Sequence, residues 1–255
     1  MLKAVYGPVP SWRLGRSLGI DPVCKRNVCS FDCVYCQLGR TTDIITERKV
    51  FVESGRVRRD LKGIWKRVKG NADVVTLSGT GEPELAENLG ELIEIAREVT
   101  GLKVAVLTNS SLMDREDVRK DLAMADIVVA KLDSPNPEIF EKVNRPHPSI
   151  DFGEMLKSMR KFRGEFKGKY ALQMMFIDLN KDYAQEMRKL TEGIRPDEIQ
   201  IDTPVRHSPV RPLTQEEIEK IKNVFEGTNY ISVYDKKKPE VETINREETL
   251  ERRPE

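Results

Sequence analysis

A chain of 255 residues, 38% hydrophobic and 33% charged, is long enough for one large α/β domain or two small ones. Its 43 Lys and Arg almost balance 42 Asp and Glu, for a formal charge of +1, which excludes a basic nucleic-acid footprint over the whole surface and leaves only a local patch. No apolar run approaches the ~20 residues that cross a bilayer, and residues 1–11 lack the charged-then-apolar layout of a cleaved leader, so a cytoplasmic protein that does not engage membranes is expected.

Short β-branched runs alternate with amphipathic stretches along the chain. The first strand is expected at 17–23. A helix follows at 56–69, with Val57, Leu61, Ile64, Trp65 and Val68 on one face. A strand at 74–78 leads to a helix at 84–100, where Leu85, Leu89, Leu92, Ile93 and Ala96 share a face. Strand 103–108, helix 114–124 and strand 126–132 come next. Helix 151–162, strand 170–177, helix 182–192, strand 198–202 and helix 214–225 complete the pattern. Asp114 with Asp117, and Thr214 with Glu217, have the offset of helix caps. Strands alternating with helices imply a parallel sheet wound by right-handed crossovers. About six βα units predict a partial (βα)6 TIM-like barrel, with a flat doubly wound sheet as the competing α/β fold. This core is expected to span 1–235. Residues 236–255, charged and poor in large apolar side chains, are expected to be a solvated helix or partly disordered tail.

All four cysteines fall between Cys24 and Cys36. Disulfides that staple a fold join distant segments, so a metal or cluster site explains this grouping better. From Cys29 onward the spacing is C-x3-C-x2-C, through Cys33 and Cys36. Three thiolates on one loop can each hold one iron of a cubane and leave the fourth iron open for a ligand. A structural zinc site would want a fourth ligand, and His147 and His207 lie far along the chain. Cys24 falls outside the triplet and reads as a packed residue or incidental thiol.

This loop, with Tyr35 just before its last cysteine, resembles the radical S-adenosylmethionine superfamily. The flanks Tyr6-Gly-Pro-Val-Pro-Ser11, Leu14-Gly-Arg-Ser-Leu-Gly19 and Gln37-Leu-Gly-Arg-Thr41 are similar to a short archaeal and bacterial subgroup, loosely related to the wyosine-forming tRNA enzymes. The likeness runs from about Tyr6 to Arg211. It implies one [4Fe–4S] cluster on Cys29, Cys33 and Cys36, S-adenosylmethionine as the second cofactor, and a reductant such as ferredoxin or flavodoxin. It also implies a radical that abstracts hydrogen from a substrate: a small molecule, a peptide or an RNA base. Gly79-Thr-Gly-Glu-Pro83 resembles the family's GGEP motif, which meets the methionine amino group, with Thr80 where glycine is usual; Gly81, Glu82 and Pro83 match. Thr108-Asn109-Ser110 resembles the family's TNG. The resemblance further implies cofactor contacts from Tyr35, Asn109, Lys131, Asp133 and Asn180. All of these but Tyr35 sit at carboxyl ends of expected strands, where α/β barrels place their chemistry.

Plainer readings stand beside these. Glu82 is also an ordinary carboxylate at a helix start. Asn109 and Asn180 are common turn residues, and Lys131 with Asp133 is also a simple ion pair. His147, between two prolines, reads as a turn residue. The loop after the sixth strand carries Arg206 and Arg211, whose guanidinium forks suit an anionic substrate. Three function classes follow: a radical enzyme of unassigned substrate, a tRNA-modifying radical enzyme, and a non-catalytic metal module. The near-neutral charge and the lack of a second cysteine set weigh against the tRNA reading.

Overall fold

The β-branched runs become the neighbouring strands of one sheet. The structure, a computed structural model, describes residues 2–26 and 28–254. In chain order the strands are β1 (Val5–Ser11), β2 (Gly15–Ile20), the short pair β3 (Val28–Cys29) and β4 (Asp43–Ile44), and β5 (Val74–Leu77). Then come β6 (Lys103–Thr108), β7 (Ile127–Lys131), β8 (Lys169–Met175), β9 (Glu198–Asp202) and β10 (Tyr230–Ser232). The main sheet has the order β1-β2-β5-β6-β7-β8-β9-β10. Strands β2 and β5 to β10 pair in parallel, and β1 is antiparallel to β2. The sheet curls into a half-barrel, so the open-barrel expectation holds against the flat alternative.

Helices α1 (Ser54–Val68), α2 (Leu89–Thr100), α3 (Glu116–Leu122), α4 (Pro137–Val143), α5 (Phe152–Glu165), α6 (Ala184–Ile194) and α7 (Gln215–Val224) are the crossover elements. The expected helix 84–100 divides. Pro83 opens a short 3-10 turn capped by the Glu82 carboxylate, and α2 starts only at Leu89. At α7 the expected capping box forms, with Glu217 N donating to Thr214 Oγ1 at 3.2 Å and Thr214 N to Glu217 Oε2 at 2.8 Å. At α3 the cap position is Arg115 rather than Asp114, and no side chain bonds back.

Strand alternation separates two environments. On β8, Tyr170, Leu172 and Met174 join the apolar core, whereas Gln173 and Met175 line a cavity. Other buried polar side chains pair across neighbouring or nearby strands: Ser17 Oγ lies 2.6 Å from Thr76 Oγ1, and Gln173 Nε2 donates to Asp202 Oδ2 at 2.6 Å. A closed barrel fills its middle with branched apolar residues; polar groups at these positions leave a chamber instead.

The expected solvated tail folds back onto the sheet. Ile244 N donates to Gly7 O at 3.3 Å, Gly7 N to Asn245 Oδ1 at 3.0 Å, and Thr243 Oγ1 to Pro8 O at 2.9 Å. Helix α8 (Arg246–Leu250) then packs beside β1, and Arg252 is fully buried. Its guanidinium lies 5.1 Å over the Tyr6 ring and pairs with Asp21 at 2.9 Å. One arginine with a buried partner overrides the charged composition of the segment around it. Gly19 makes room for this stack, since a Cβ there would lie 2.2 Å from the Tyr6 ring.

Candidate active site

The loop after β2 carries the cysteines in tight turns, with Cys36 N donating to Cys33 O and Gly39 N to Cys36 O, each at 3.0 Å. Its back is fixed by the chain after α4. Asp32 N donates to Asn144 O at 3.0 Å, Val34 N to Val143 O at 2.9 Å, and His147 N to Ser30 O at 2.9 Å. The Asn144-Arg-Pro146 segment is therefore a brace for the cysteine loop. His147 is the turn residue expected, its Nδ1 lying 2.8 Å from Ser149 Oγ.

Cys29, Cys33 and Cys36 line one cavity with Tyr35, Gly79, Gly81, Glu82, Asn109 and Lys131. Cys24 lies apart, its Sγ 3.2 Å from Asp21 O and 3.6 Å from Arg252 Nη2. Among the described residues no three His, Cys, Asp or Glu side chains are placed to hold a single ion. A cubane does not need such convergence, because each thiolate takes a different iron. A donor set of soft thiolates fits that cluster. Asn109 Nδ2 stands 3.6 Å from Cys29 Sγ, and Asn144 Nδ2 stands 3.5 Å from Cys33 Sγ, the kind of donor that tunes a bound cluster. Burial and the Asp133 carboxylate push the Cys33 thiol up to about 12. Burial and Glu82 raise Cys29 further. Free of metal these thiols stay protonated, so loading must release protons.

The glycine motif after β5 meets the cysteine loop edge-on. Val28 and Gly81 form a parallel bridge, and a Cβ on Gly81 would stand 2.3 Å from Val28 O. A Cβ on Gly79 would stand 2.2 Å from the Asp21 carboxyl carbon. Chain-on-chain packing thus requires both glycines before any ligand is considered. Thr80 does not line the cavity; its N and Oγ1 donate to Asp21 Oδ2 at 3.1 and 2.9 Å. The residue that departs from the family pattern thereby ties the motif to the Asp21–Arg252 pair.

Glu82 is buried yet well supplied with donors. Its Oε1 accepts from Thr108 Oγ1 at 2.6 Å and Glu84 N at 3.0 Å, and its Oε2 accepts from Asn109 N at 2.8 Å. One lone pair on Oε2 stays free for a cation in the cavity. Burial raises both Glu82 and Glu84, and a cationic ligand would draw Glu82 back to its charged form. Beyond Asn109, Ser110 has φ +68°, and its hydroxyl is buried without a hydrogen-bond partner. Ser110→Gly is expected to stabilise the fold by about 1 kcal/mol, a melting-point rise of roughly 2–4 °C in a calorimetric scan. An unchanged or lower melting point would show that the left-handed turn is not strained.

Asp133 and Asn180 also stay out of the cavity, because the protein uses up their polar atoms. Asp133 Oδ2 accepts from the Tyr35 hydroxyl and from Asn144 Nδ2 at 3.0 Å, while Oδ1 accepts from Met175 N at 2.9 Å. Asn180 Nδ2 donates to Asp133 O at 2.7 Å and Met175 O at 2.8 Å, and its Oδ1 accepts from Ile177 N at 2.7 Å. Lys131 does face the cavity, with Nζ 4.9 Å above the Tyr35 ring and 3.6 Å from Asp133. Arg206 lines the cavity too, but Arg211 turns outward to Asp178 and Glu217. Sequence reasoning missed Arg13, Asp202, Lys238 and Arg253 on the wall. They come from four separate segments, so no spacing in the sequence marks them.

The radical SAM superfamily model matches residues 25–191, about two thirds of the chain. The chain belongs to the radical SAM superfamily. It is similar to a UPF0026 protein of Synechocystis sp., 41% identical over 82% of this chain and 78% of that one. Its fold is similar to Streptococcus suis SuiB bound to S-adenosylmethionine, with a TM-score of 0.62, 15% identity, and coverage of 86% of this chain and 50% of that one. It is also similar to TYW1 with a lysine-pyruvate adduct bound, with a TM-score of 0.62, 19% identity, and coverage of 84% and 74%. This radical SAM chain is therefore an enzyme, and its family brings an iron–sulfur cluster and S-adenosylmethionine as cofactors. Members of the family also need a reductant and a substrate. In this radical SAM protein no helix among the described residues is long and apolar enough to cross a membrane.

Proposed function

We propose that Cys29, Cys33 and Cys36 hold one [4Fe–4S] cluster that reductively cleaves S-adenosylmethionine, giving a 5′-deoxyadenosyl radical that takes hydrogen from a substrate. One observation carries this reading: three thiols and, from a different loop, Gly79, Gly81, Glu82 and Pro83 face the same cavity at the strand ends. Each group then has a task its surroundings allow. Glu82 Oε2 receives the methionine ammonium on its free lone pair. The backbone at Gly79 and Gly81 lets that group approach closely. Asn109 and Asn144 donate to the cysteine sulfurs. Asp133 and Asn180 act as positioning residues, fixing Tyr35 and the ends of β7 and β8, and Thr80 fixes the glycine turn. Lys131 supplies a positive charge beside the thiolate loop. The polar chamber of the half-barrel holds the substrate, and a small reduced protein such as ferredoxin or flavodoxin supplies electrons.

The test is anaerobic reconstitution with iron and sulfide, followed by S-adenosylmethionine and a strong reductant. About four irons per chain and formation of 5′-deoxyadenosine are expected, both lost in the Cys29→Ala/Cys33→Ala/Cys36→Ala variant. Tightly bound zinc with no cluster would overturn the reading.

A further inference from the structure

The cavity has a second chemical feature that the cofactors do not explain. Arg13, Arg206, Lys238 and Arg253 all line it, and a single carboxylate on that part of the wall, Asp202, faces them. Asp202 is already engaged: its Oδ2 accepts from Gln173 at 2.6 Å, its Oδ1 accepts from Thr203 N at 2.9 Å, and Arg13 Nη1 lies 3.5 Å away. That last distance is too long for a hydrogen bond. Arg13 is nearly buried, with a side-chain exposure of 11%, yet its Nε and Nη1 have no hydrogen-bond partner. Arg253 Nε is likewise buried and unpartnered, although its Nη2 donates to Ser78 Oγ at 3.3 Å. Arg206 donates no hydrogen bond to any described residue. The neighbouring Arg253, burial and Arg13 lower its pKa to about 9, which leaves the guanidinium charged near neutral pH.

Buried guanidinium groups normally find partners, and clustered like charges repel. Four cations, gathered from the β1–β2 turn, the loop after β9, the segment after β10 and the tail beyond α8, therefore share one carboxylate, Asp202, whose oxygens already accept from Gln173 and Thr203. Guanidinium forks match the oxygens of phosphate and carboxylate, and three of them suit a dianion better than a monoanion. The groups acting on the cysteines are different ones: Glu82, Asp133, Asp32 and Lys131.

We propose that Arg13, Arg206 and Arg253 form an oxyanion subsite that binds a phosphate group carried by the enzyme's substrate. The proposal rests on the radical reading of the same cavity and narrows its substrate to a phosphorylated small molecule.

Inorganic phosphate is the probe, titrated calorimetrically into reconstituted protein with and without saturating S-adenosylmethionine. Saturable binding is expected in both cases, with acetate binding more weakly. Arg206→Gln and Arg253→Gln are each expected to weaken phosphate by about tenfold or more, with Arg206→Lys retaining part of the affinity. Iron per chain, read on the same samples, should stay at the parent value and show that the variants fold. Absence of saturable phosphate binding, or variants that bind as the parent does, would overturn the subsite. So would competitive displacement by S-adenosylmethionine, which would assign the guanidiniums to the methionine carboxylate. Because iron content and 5′-deoxyadenosine are measured separately, failure of the cluster reading is distinguishable from failure of the anion site.

Discussion

Arg252→Met is expected to cost about 3–5 kcal/mol of stability, because it strands a buried carboxylate. Arg252 and Asp21 are both fully buried, 2.9 Å apart. Asp21 also accepts from Val23 N at 3.1 Å, Cys24 N at 2.9 Å and both donors of Thr80. Those bonds hold the end of β2 to the glycine motif. They do not replace the lost counter-charge. Arg252 also donates to Lys3 O at 2.6 Å and Glu248 O at 2.9 Å, so the tail would detach with it. Urea midpoints for the parent, Arg252→Met, Asp21→Asn and the double variant form a cycle. The double variant should be more stable than the sum of the two losses implies. A single-variant loss below about 1 kcal/mol would mean that water reaches Asp21 and the pair is not a buried one.

Asp133→Ala carries the second large effect, expected at about 3–5 kcal/mol. It removes the acceptor for Tyr35, Asn144 and Met175 N together, and it leaves Lys131 without its carboxylate. Asn144 also touches Cys33, so the cysteine loop should loosen and iron per chain should fall. Asp133→Asn keeps an oxygen for Met175 N and should cost markedly less. If the alanine and asparagine variants unfold at the same midpoint, Asp133 does not act as the hub of this network.

The strands at the centre of the sheet were legible because β-branched runs between amphipathic stretches have few other solutions. β1 was not. Its Gly7, Pro8 and Pro10 interrupt any strand pattern, and prolines are tolerated there because the strand is at an edge. α4 was also missed, although Asn136 caps it and Pro137 follows, because seven residues leave too short a period to detect. The cysteine triplet was readable from spacing, since three ligands of one cluster must lie close in sequence on one loop. Asn180 illustrates the opposite case. A polar residue at a strand end has the same signature whether it faces a ligand or bonds the backbone, and only packing distinguishes the two. The tail failed for a related reason: composition averages over residues, while Arg252 acts alone.

The Asp21–Arg252 pair also sets an order of events during synthesis. Its members are 231 positions apart, and at ~5–20 residues per second the arginine follows the aspartate by about 10–50 s. Throughout that interval Asp21 lacks the charge partner it has in the folded chain, so the end of β2 cannot adopt its final buried state. The wall that Arg253 completes is likewise missing from every shorter nascent chain. The chamber wall is therefore complete only once the segment carrying Arg252 and Arg253 has been made.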